Sequence, residues 1–470
     1  MQIHFARDYC ANVKLEGFVV LQRKILTQLA QWKTRADRKP LILRGARQVG
    51  KTTAIDLFAK DFNNYIYLNL ERAKDRNLFD KEMDIGELFQ AILIFKDKVL
   101  KPGNTLIFID EIQNSLTAVK MLRFFYEEMG TIFVIAAGSL LEIMLEKENI
   151  SFPVGRVEYL YMYPMTFEEY LLAKGGGPVL DAFYQVPVKK YAHAKLLALF
   201  HEYVLIGGMP EVVKTFLDSG NVKELDRVYE ALLVSYVNDA EKYARNHTIR
   251  QVLRHALESL PFESGRRIKF QGFGNSNYKS REVGEALRTI ERAMLIYLIF
   301  PSTASKLPIH IDYKKSPLLQ FLDTGLLNYF VGLQSDYFKF KDLQAFYRGM
   351  IAEHIVRQEL MAVDATKNRK YPFWVREKKQ SNAEVDILMQ HKHYIVPVEV
   401  KAGKTGMLRS LHAFMSRVDH AYAVRLYAGK LEMSEVTTAQ GKKYQLLNLP
   451  YYLAGRLNEY VQWLVDRPYA

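Results

Sequence analysis

The chain contains one cysteine, Cys10, among 470 residues. A single thiol cannot form an internal disulfide or an all-thiolate metal site, and such scarcity fits a reducing compartment. No apolar run reaches the roughly 20 residues that cross a bilayer, because the best stretch, Thr131 to Leu145, is interrupted by Glu142. The N-terminal residues also lack the apolar core of a signal peptide. We therefore expect a cytoplasmic protein that has no membrane partner.

Long low-complexity or proline-, glycine- and serine-rich tracts are missing as well, so most of the chain should fold. Its length exceeds one ordinary core, and a prior of roughly 150 residues per domain predicts two to four domains. The 65 Lys and Arg outnumber the 52 Asp and Glu and give a net charge of +13. This excess favours a polyanionic partner such as nucleic acid, although scattered positive charges also fit a solvated surface.

The first motif with a clear chemical meaning is Gly45-x4-Gly50-Lys51-Thr52. A short apolar run precedes it and helix-forming residues follow it, which is the strand-loop-helix context of a phosphate-binding loop. In such a loop, backbone N–H groups surround the phosphates, Lys51 neutralises the β and γ oxygens, and Thr52 offers its hydroxyl to Mg²⁺. ATP and Mg²⁺ are therefore the predicted cofactors. The predicted nucleotide-binding residues are Gly45, Ala46, Arg47, Gln48, Val49, Gly50, Lys51, Thr52 and Thr53.

A pair of acids, Asp110 and Glu111, follows a second apolar run about 60 residues further on. Asp110 is the predicted Mg²⁺ ligand, together with Thr52, and Glu111 is the predicted general base that polarises the attacking water. The pair predicts hydrolysis of the nucleotide in addition to binding.

Strand-like and helix-like segments alternate around these motifs, which is typical of the doubly wound parallel sheet of an α/β P-loop NTPase. The run that begins at Thr131 ends in Ser139. A polar side chain there could sense the γ-phosphate, or it could cap the next helix.

Four segments together resemble bacterial and archaeal AAA-superfamily ATPases of unassigned role, in which the ATPase core is fused to a C-terminal domain of unknown function. The segments are 44–53, 109–113, 138–139 and 155–170. The resemblance implies that Arg156 is a sensor or an arginine finger, acting within its own chain or on a neighbouring subunit of a homo-oligomer. A surface salt bridge is the alternative for Arg156.

The middle of the chain predicts a helical lid followed by a winged-helix-like domain. Helices, a strand and a basic hairpin follow one another up to Lys315, and Arg281, Arg288 and Arg292 share one side of a predicted helix. This side could contact DNA, or its charges could simply face solvent.

The C-terminal part carries Asp386 on one predicted strand and Glu399-x-Lys401 on the next. Residues two apart on a strand share a face, so Glu399 and Lys401 could converge with Asp386 on one metal ion, and Lys401 could orient or deprotonate a water molecule. Glu353, on the preceding helix, would complete a restriction-endonuclease-like site with a second divalent metal. Alternatively, Glu399 and Lys401 merely pair on a half-exposed sheet.

The sequence is compatible with three hypotheses of function. The first is an ATP-driven switch or motor that engages DNA, the second is an ATP-regulated metal-dependent nuclease, and the third is a non-catalytic DNA- or protein-binding module gated by ATP. The predicted divisions are an ATPase core with a leader segment, a lid, a winged-helix-like domain and a restriction-endonuclease-like domain, at 1–160, 161–245, 246–335 and 336–470.

Overall fold

The computed structural model describes residues 21–80, 83–101, 103–138, 155–242, 244–336, 349–376, 383–403 and 408–467. Within them, two five-stranded sheets are connected by a largely helical middle segment.

The N-terminal sheet is parallel, with the strand order β2-β3-β4-β1-β5. Its strands are β1 (Leu41–Arg44), β2 (Asn64–Asn69), β3 (Thr105–Asp110), β4 (Phe133–Ala137) and β5 (Glu158–Tyr161). The neighbouring helices are α1 (Ile25–Thr34), α2 (Lys51–Ala59), α3 (Ala73–Arg76), α4 (Ile85–Phe95) and α5 (Leu116–Glu128). Strands β1, β3 and β4 are buried along their whole length, as expected when both faces of a parallel sheet are covered. The predicted α/β P-loop architecture is confirmed for this part of the chain.

The strand order determines where the predicted motifs meet. Strand β4 lies between β1 and β3, and all three run parallel. The loop after β1 and the acids after β3 therefore lie at the same edge of the sheet.

The middle segment is helical except for one hairpin-like pair of strands. Its helices are α6 (Phe167–Ala173), α7 (Gly177–Tyr184), α8 (His193–Ile206), α9 (Pro210–Ser219), α10 (Asp226–Glu241), α11 (His247–Glu263), α12 (Ser280–Arg292), α13 (Thr324–Phe330) and α14 (Leu333–Asp336). Strands β6 (Ile296–Ile299) and β7 (Leu318–Phe321) pair antiparallel after α12. This order is compatible with a winged helix, an assignment that stays a prediction. Arg281 and Arg288 are exposed on α12.

The C-terminal sheet is mixed, with the strand order β10-β11-β12-β14-β13. Its strands are β10 (Ile387–His391), β11 (Tyr394–Val400), β12 (Tyr422–Tyr427), β13 (Glu432–Thr437) and β14 (Lys443–Pro450). Strands β8 (Trp374–Val375) and β9 (Glu384–Val385) form a small antiparallel pair beside it. The helices of this part are α15 (Met350–Met361), α16 (Arg409–Met415) and α17 (Leu457–Val465).

Short 3₁₀ helices complete the secondary structure: Ile112–Asn114, Lys190–Ala192, Val222–Leu225, Phe273–Asn275 and Tyr451–Arg456.

One apolar core extends through all of these parts, from Ile25 in α1 to Leu464 in α17. A second core covers the other face of the N-terminal sheet, and a third, which includes Trp374 and Phe414, lies under α16. The boundaries predicted at residues 160, 245 and 335 therefore divide segments that share one core.

None of the described helices is by itself long and apolar enough to cross a membrane; one pair, Lys190–Ile206 with Pro210–Ser219, passes that test jointly but is bent by 119°.

Candidate functional site

The loop after β1 has the backbone that phosphate binding requires. Gln48 and Gly50 have positive φ angles of 63° and 93°, so the chain curls before α2 begins at Lys51. A Cβ atom on Gly45 would lie 2.4 Å from the carbonyl oxygen of Met162, which explains the glycine at that position. The free N–H groups at the start of α2 and the positive end of its dipole face the loop, where they favour an anion.

Lys51 lies inside this loop and is almost fully buried. Its ammonium group donates hydrogen bonds to the carbonyl oxygens of Gly45 and Ala46, each at 2.9 Å. Burial lowers the pKa of Lys51 to about 8, against the opposing effect of Glu111 and Asp110. Bound phosphates would add negative charge and stabilise the charged form of this lysine.

Thr52 and Asp110 meet directly, although the two residues come from different elements. The Thr52 hydroxyl donates to Oδ2 of Asp110 at 2.9 Å, and the Tyr67 hydroxyl donates to the same oxygen at 3.2 Å. Burial raises the pKa of Asp110, while the hydrogen bond from Thr52 lowers it. A carboxylate and a hydroxyl are the hard oxygen donors that Mg²⁺ prefers, so these two residues fit the predicted metal.

Glu111 is held beside Asp110 in a left-handed backbone conformation, with φ 51°. Its backbone N–H donates to Oδ1 of Asp110 at 3.0 Å, and its carboxylate accepts a hydrogen bond from the side-chain amide of Gln113. A positive φ is costly for a residue that is not glycine, and such strain is maintained where the surroundings impose it. The arrangement orients the carboxylate of the predicted general base.

Gln113 contributes to the site in a way that the sequence analysis missed. It is buried, and its Oε1 has no hydrogen-bond partner among the described residues. A Cβ atom on Gly138 would lie 2.2 Å from this oxygen, so the amide packs against the end of β4. The position of Gln113, two residues after Glu111, is the sequence feature that could have indicated this contact.

The loop also contacts the middle segment through Arg47. The Arg47 guanidinium forms an ion pair with Asp239 on α10, and the Tyr236 hydroxyl donates to the Arg47 carbonyl oxygen at 3.2 Å. Asp239 also forms an ion pair with Lys242, with 3.0 Å between Lys242 Nζ and Asp239 Oδ1. No spacing in the sequence could have revealed a contact between residues 192 positions apart.

Arg23 supports the loop from the other side. Its guanidinium donates to the carbonyl oxygens of Val49, at 2.6 Å, and Tyr163, at 2.7 Å, and pairs with Glu169 at 3.1 Å. This buried arginine therefore ties the phosphate loop to α6.

Arg156 does not reach the nucleotide site of its own chain. It precedes β5, which runs parallel to β1, so it lies at the opposite edge of the sheet from the loop after β1. Its side chain is partly exposed and pairs with Glu127 at 2.7 Å, the surface salt bridge considered as the alternative. A role in a neighbouring subunit stays a prediction. Ser139, the other predicted sensor, lies outside the described residues.

The second predicted site brings Asp386, Glu399 and Lys401 together on one side of the C-terminal sheet. Neighbouring side chains on a strand point to opposite faces of the sheet. Val398 and Val400 on β11 pack in the main core, so Glu399 between them points to the opposite face, the one that Ile395 presents to α16. Lys401 Nζ lies 2.5 Å from Glu399 Oε1, and Asp386 Oδ2 accepts a hydrogen bond from the Val400 N–H at 2.6 Å.

Glu353 on α15 feels the charges of Asp386 and Glu399, and its role as a metal ligand stays a prediction. Burial first and Asp386 second raise the pKa of Glu353 well above its ordinary value, and the same two causes raise the pKa of Glu399 to about 8. Arg357, one turn further on α15, donates to the Asp386 carbonyl oxygen.

The described residues contain no group of three carboxylate, histidine or cysteine side chains arranged to hold a metal ion. Asp386 accepts a hydrogen bond from the Val400 N–H, and Glu399 pairs with Lys401. The buried Oε2 of Glu399 has no partner among the described residues.

The site at the first sheet defines a P-loop ATPase domain: a phosphate loop after β1, a helix beginning at Lys51, and an acid pair after β3. In agreement, residues 37–171 match the family described as AAA domain. Residues 197–337 and 348–452 match two further families, each described as a domain of unknown function, DUF8612 and DUF4143. No curated protein sequence matches the chain.

Two solved structures are similar over much of the chain. A Walker-type ATPase of Pyrococcus abyssi has 13% identity and a TM-score of 0.41, with 66% of this chain and 96% of that chain covered. A signal transduction ATPase with numerous domains, which carries a tetratricopeptide repeat sensor and comes from Pyrococcus horikoshii, has 15% identity and a TM-score of 0.28. That match covers 75% of this chain and 49% of the other. Both similarities are too distant to assign a function.

Proposed function

We propose that this protein is a Mg²⁺-dependent ATPase that works as a switch or motor and engages DNA through its C-terminal part. The observation that carries the proposal is the convergence of Lys51, Thr52, Asp110 and Glu111 at one edge of the parallel sheet. Each of these residues has a type suited to one part of phosphoryl transfer to water.

The roles follow from the contacts. The loop amides and Lys51 bind the phosphates, while Thr52 and Asp110 hold Mg²⁺, which neutralises developing charge when bound. Glu111 accepts a proton from the attacking water, and Gln113 keeps its carboxylate oriented. Arg47 connects the nucleotide loop to Asp239 on α10, so a change at the phosphates reaches the middle segment.

DNA is the proposed partner because the chain carries a net charge of +13 and exposes arginines in its middle and C-terminal parts. A DNA-driven or DNA-directed ATPase should respond to its partner. The test measures phosphate release from ATP with and without duplex DNA, alongside DNA binding with and without ATP. We expect DNA to change the rate of phosphate release and ATP to change the affinity for DNA; because linkage between binding sites is reciprocal, DNA should change the affinity for ATP by the same factor. Hydrolysis and DNA binding that are fully independent would contradict the switch.

An ATP-regulated nuclease is the second candidate, and the shared face of Asp386, Glu399 and Lys401, with Glu353 nearby, favours it. A divalent metal held by Asp386, Glu399 and Glu353 would require these side chains to move from their present contacts, since the described residues contain no group of three already placed to hold one. The metal would supply a Lewis acid for the phosphodiester.

The nuclease candidate predicts nicking of plasmid DNA with Mg²⁺ or Mn²⁺ that is lost in Asp386→Ala and in Lys401→Ala. Glu384→Gln, a neighbour of the cluster that is not among the proposed ligands, serves as the matched control. Intact single- and double-stranded DNA and RNA after incubation with the wild-type protein would argue for the non-catalytic binding module instead.

A further inference from the structure

A basic groove lies on the outer surface of the C-terminal part, beside the Asp386 cluster. It has a volume of about 440 Å³ and is lined by Arg376, Arg409, His412, Ser416, Arg417 and Gln440, among others. None of the described lining residues is acidic. A groove with three arginines and no lining carboxylate favours a polyanionic ligand.

The arginines are presented by rigid parts of the fold. Arg376 follows β8, and its backbone N–H donates to the Ala383 carbonyl oxygen at 3.2 Å. Arg409 is the first residue of α16, which the third core anchors through Leu411 and Phe414. The guanidinium of Arg417 lies over the buried Trp374 ring, 5.6 Å from its centroid, and this stacking fixes its plane.

Across the described ranges, none of the three arginines has a carboxylate within ion-pair distance. The buried Nε of Arg376 also has no hydrogen-bond partner there. Lys401, by contrast, is paired with Glu399. Arg376 is partly buried, whereas Arg409 and Arg417 are exposed, and all three guanidinium groups can donate to a bound anion that offers several oxygens.

The groove lies near the Asp386 cluster, because Ser410, next to Arg409 on α16, accepts a hydrogen bond from the Glu384 N–H at 3.2 Å, two residues before Asp386. His412 Nδ1 lies 3.4 Å from the Tyr444 hydroxyl, and burial first and the Glu399 carboxylate second raise the pKa of Tyr444 to about 12. Arg376 lies opposite Ala383 at the end of the β8–β9 pair. Ala383 precedes Asp386 by three residues, which is roughly 10 Å along an extended chain. That distance matches the axial rise of roughly three nucleotides, at about 3.4 Å for each phosphate of a strand.

We propose that this groove, which we call the arginine groove, binds the phosphodiester backbone of a nucleic acid and holds it alongside the Asp386 cluster. The inference rests on the proposed engagement of DNA and assigns that engagement to Arg376, Arg409 and Arg417. Backbone contacts of this kind position the nucleic acid without reading its sequence.

The experiment measures fluorescence anisotropy of labelled duplex and single-stranded DNA with the full-length protein over a series of salt concentrations. In Arg409→Gln/Arg417→Gln we expect affinity to fall by roughly tenfold or more, and the dependence of log K on log salt to lose a slope of about two. Arg409→Lys/Arg417→Lys keeps both charges and should recover most of the affinity, which a merely misfolded surface would not do.

Arg227→Gln/Arg250→Gln is the matched control, because it removes two charges from exposed arginines on α10 and α11 and should bind DNA like the wild type. If wild type binds DNA and the Arg409/Arg417 glutamine variant binds equally well, the groove assignment is overturned while DNA engagement stands. If wild type binds no DNA, both proposals fail. Binding of labelled polyglutamate in place of DNA would identify an acidic polypeptide as the ligand and also overturn the groove's assignment.

Discussion

Thr52 and Asp110 are joined by a 2.9 Å hydrogen bond, although the two residues are 58 positions apart in the chain. The contact exists because β4 separates β1 from β3 in a parallel sheet, which brings the ends of all three strands to one edge. Thr52, the second residue of α2, and Asp110, the last residue of β3, therefore present two oxygen groups of the kind that Mg²⁺ prefers.

Removing one member of this pair should affect nucleotide binding through the metal. In Asp110→Asn we expect ATP affinity measured with Mg²⁺ to fall well below that of wild type, because the substitution removes an anionic ligand. Affinity measured in EDTA should differ little between the two proteins. Isothermal titration calorimetry compares the four cases, and an equal loss with and without Mg²⁺ would show that Asp110 acts on folding instead.

Gln113 should matter for the rate of hydrolysis and not for binding. In Gln113→Ala the Glu111 carboxylate loses its orienting amide, and we expect kcat to fall between about tenfold and a hundredfold while ATP affinity is preserved. Steady-state phosphate release and nucleotide titration provide the two measurements.

Gly138→Ala tests the same contact from β4, since its Cβ would displace the Gln113 amide. We expect a similar reduction in kcat, and no further reduction when Gly138→Ala is added to Gln113→Ala. Additive losses would mean that Gly138 acts on hydrolysis by a separate route.

The ion pair between Arg47 and Asp239 should couple the loop to α10. A double-mutant cycle with Arg47→Gln and Asp239→Asn should give an interaction free energy on the order of 1 kcal/mol in chemical denaturation, because the pair is only partly buried. Hydrogen exchange of α10 should depend on ATP in the wild type and lose that dependence in Asp239→Asn. Lys223→Gln, at an exposed position of the 3₁₀ helix before α10, is the control and should retain the ATP dependence.

The buried carboxyl group of Glu359 should make the stability of the fold depend on pH. Its Oε1 accepts hydrogen bonds from the Phe167 N–H at 2.9 Å and the Tyr203 hydroxyl at 2.8 Å, yet burial raises the pKa of this carboxyl from 4.5 to about 7. Between these two values the folded protein binds more protons than the unfolded chain, so its free energy of unfolding falls as pH rises.

Glu359→Gln removes this titration. Relative to wild type, the variant should gain up to about 3 kcal/mol of stability between pH 4.5 and pH 8. Urea unfolding at several pH values measures the difference. The exposed Glu224→Gln should leave the pH dependence unchanged, and a Glu359→Gln curve parallel to wild type would contradict the raised pKa.

The parts of the site that the sequence predicted are those defined by short spacings. The loop from Gly45 to Thr53 and the acids Asp110 and Glu111 follow buried strands, and the order of strand, loop and helix has a direct physical meaning. The parallel sheet was predictable for the same reason.

Contacts between distant segments were not predictable in this way. The bond from Arg23 to Val49 and the pair of Arg47 with Asp239 depend on how α1 and α10 pack, which no local pattern encodes. The position of Arg156 depends on the pairing of β5 with β1, which sends its side chain to the edge away from the phosphate loop. The single core that crosses the predicted boundaries has the same origin, since sequence spacing does not report which apolar faces meet.

Phosphate release by wild type and by Glu111→Gln, under saturating ATP and Mg²⁺, measures directly whether ATP is hydrolysed at the Asp110–Glu111 pair. We expect wild type to release phosphate and Glu111→Gln to bind ATP with similar affinity but to hydrolyse it at least about a hundredfold more slowly, because the general base is lost. A wild-type protein that releases no phosphate with or without DNA, or a Glu111→Gln variant as fast as wild type, would contradict hydrolysis at this pair.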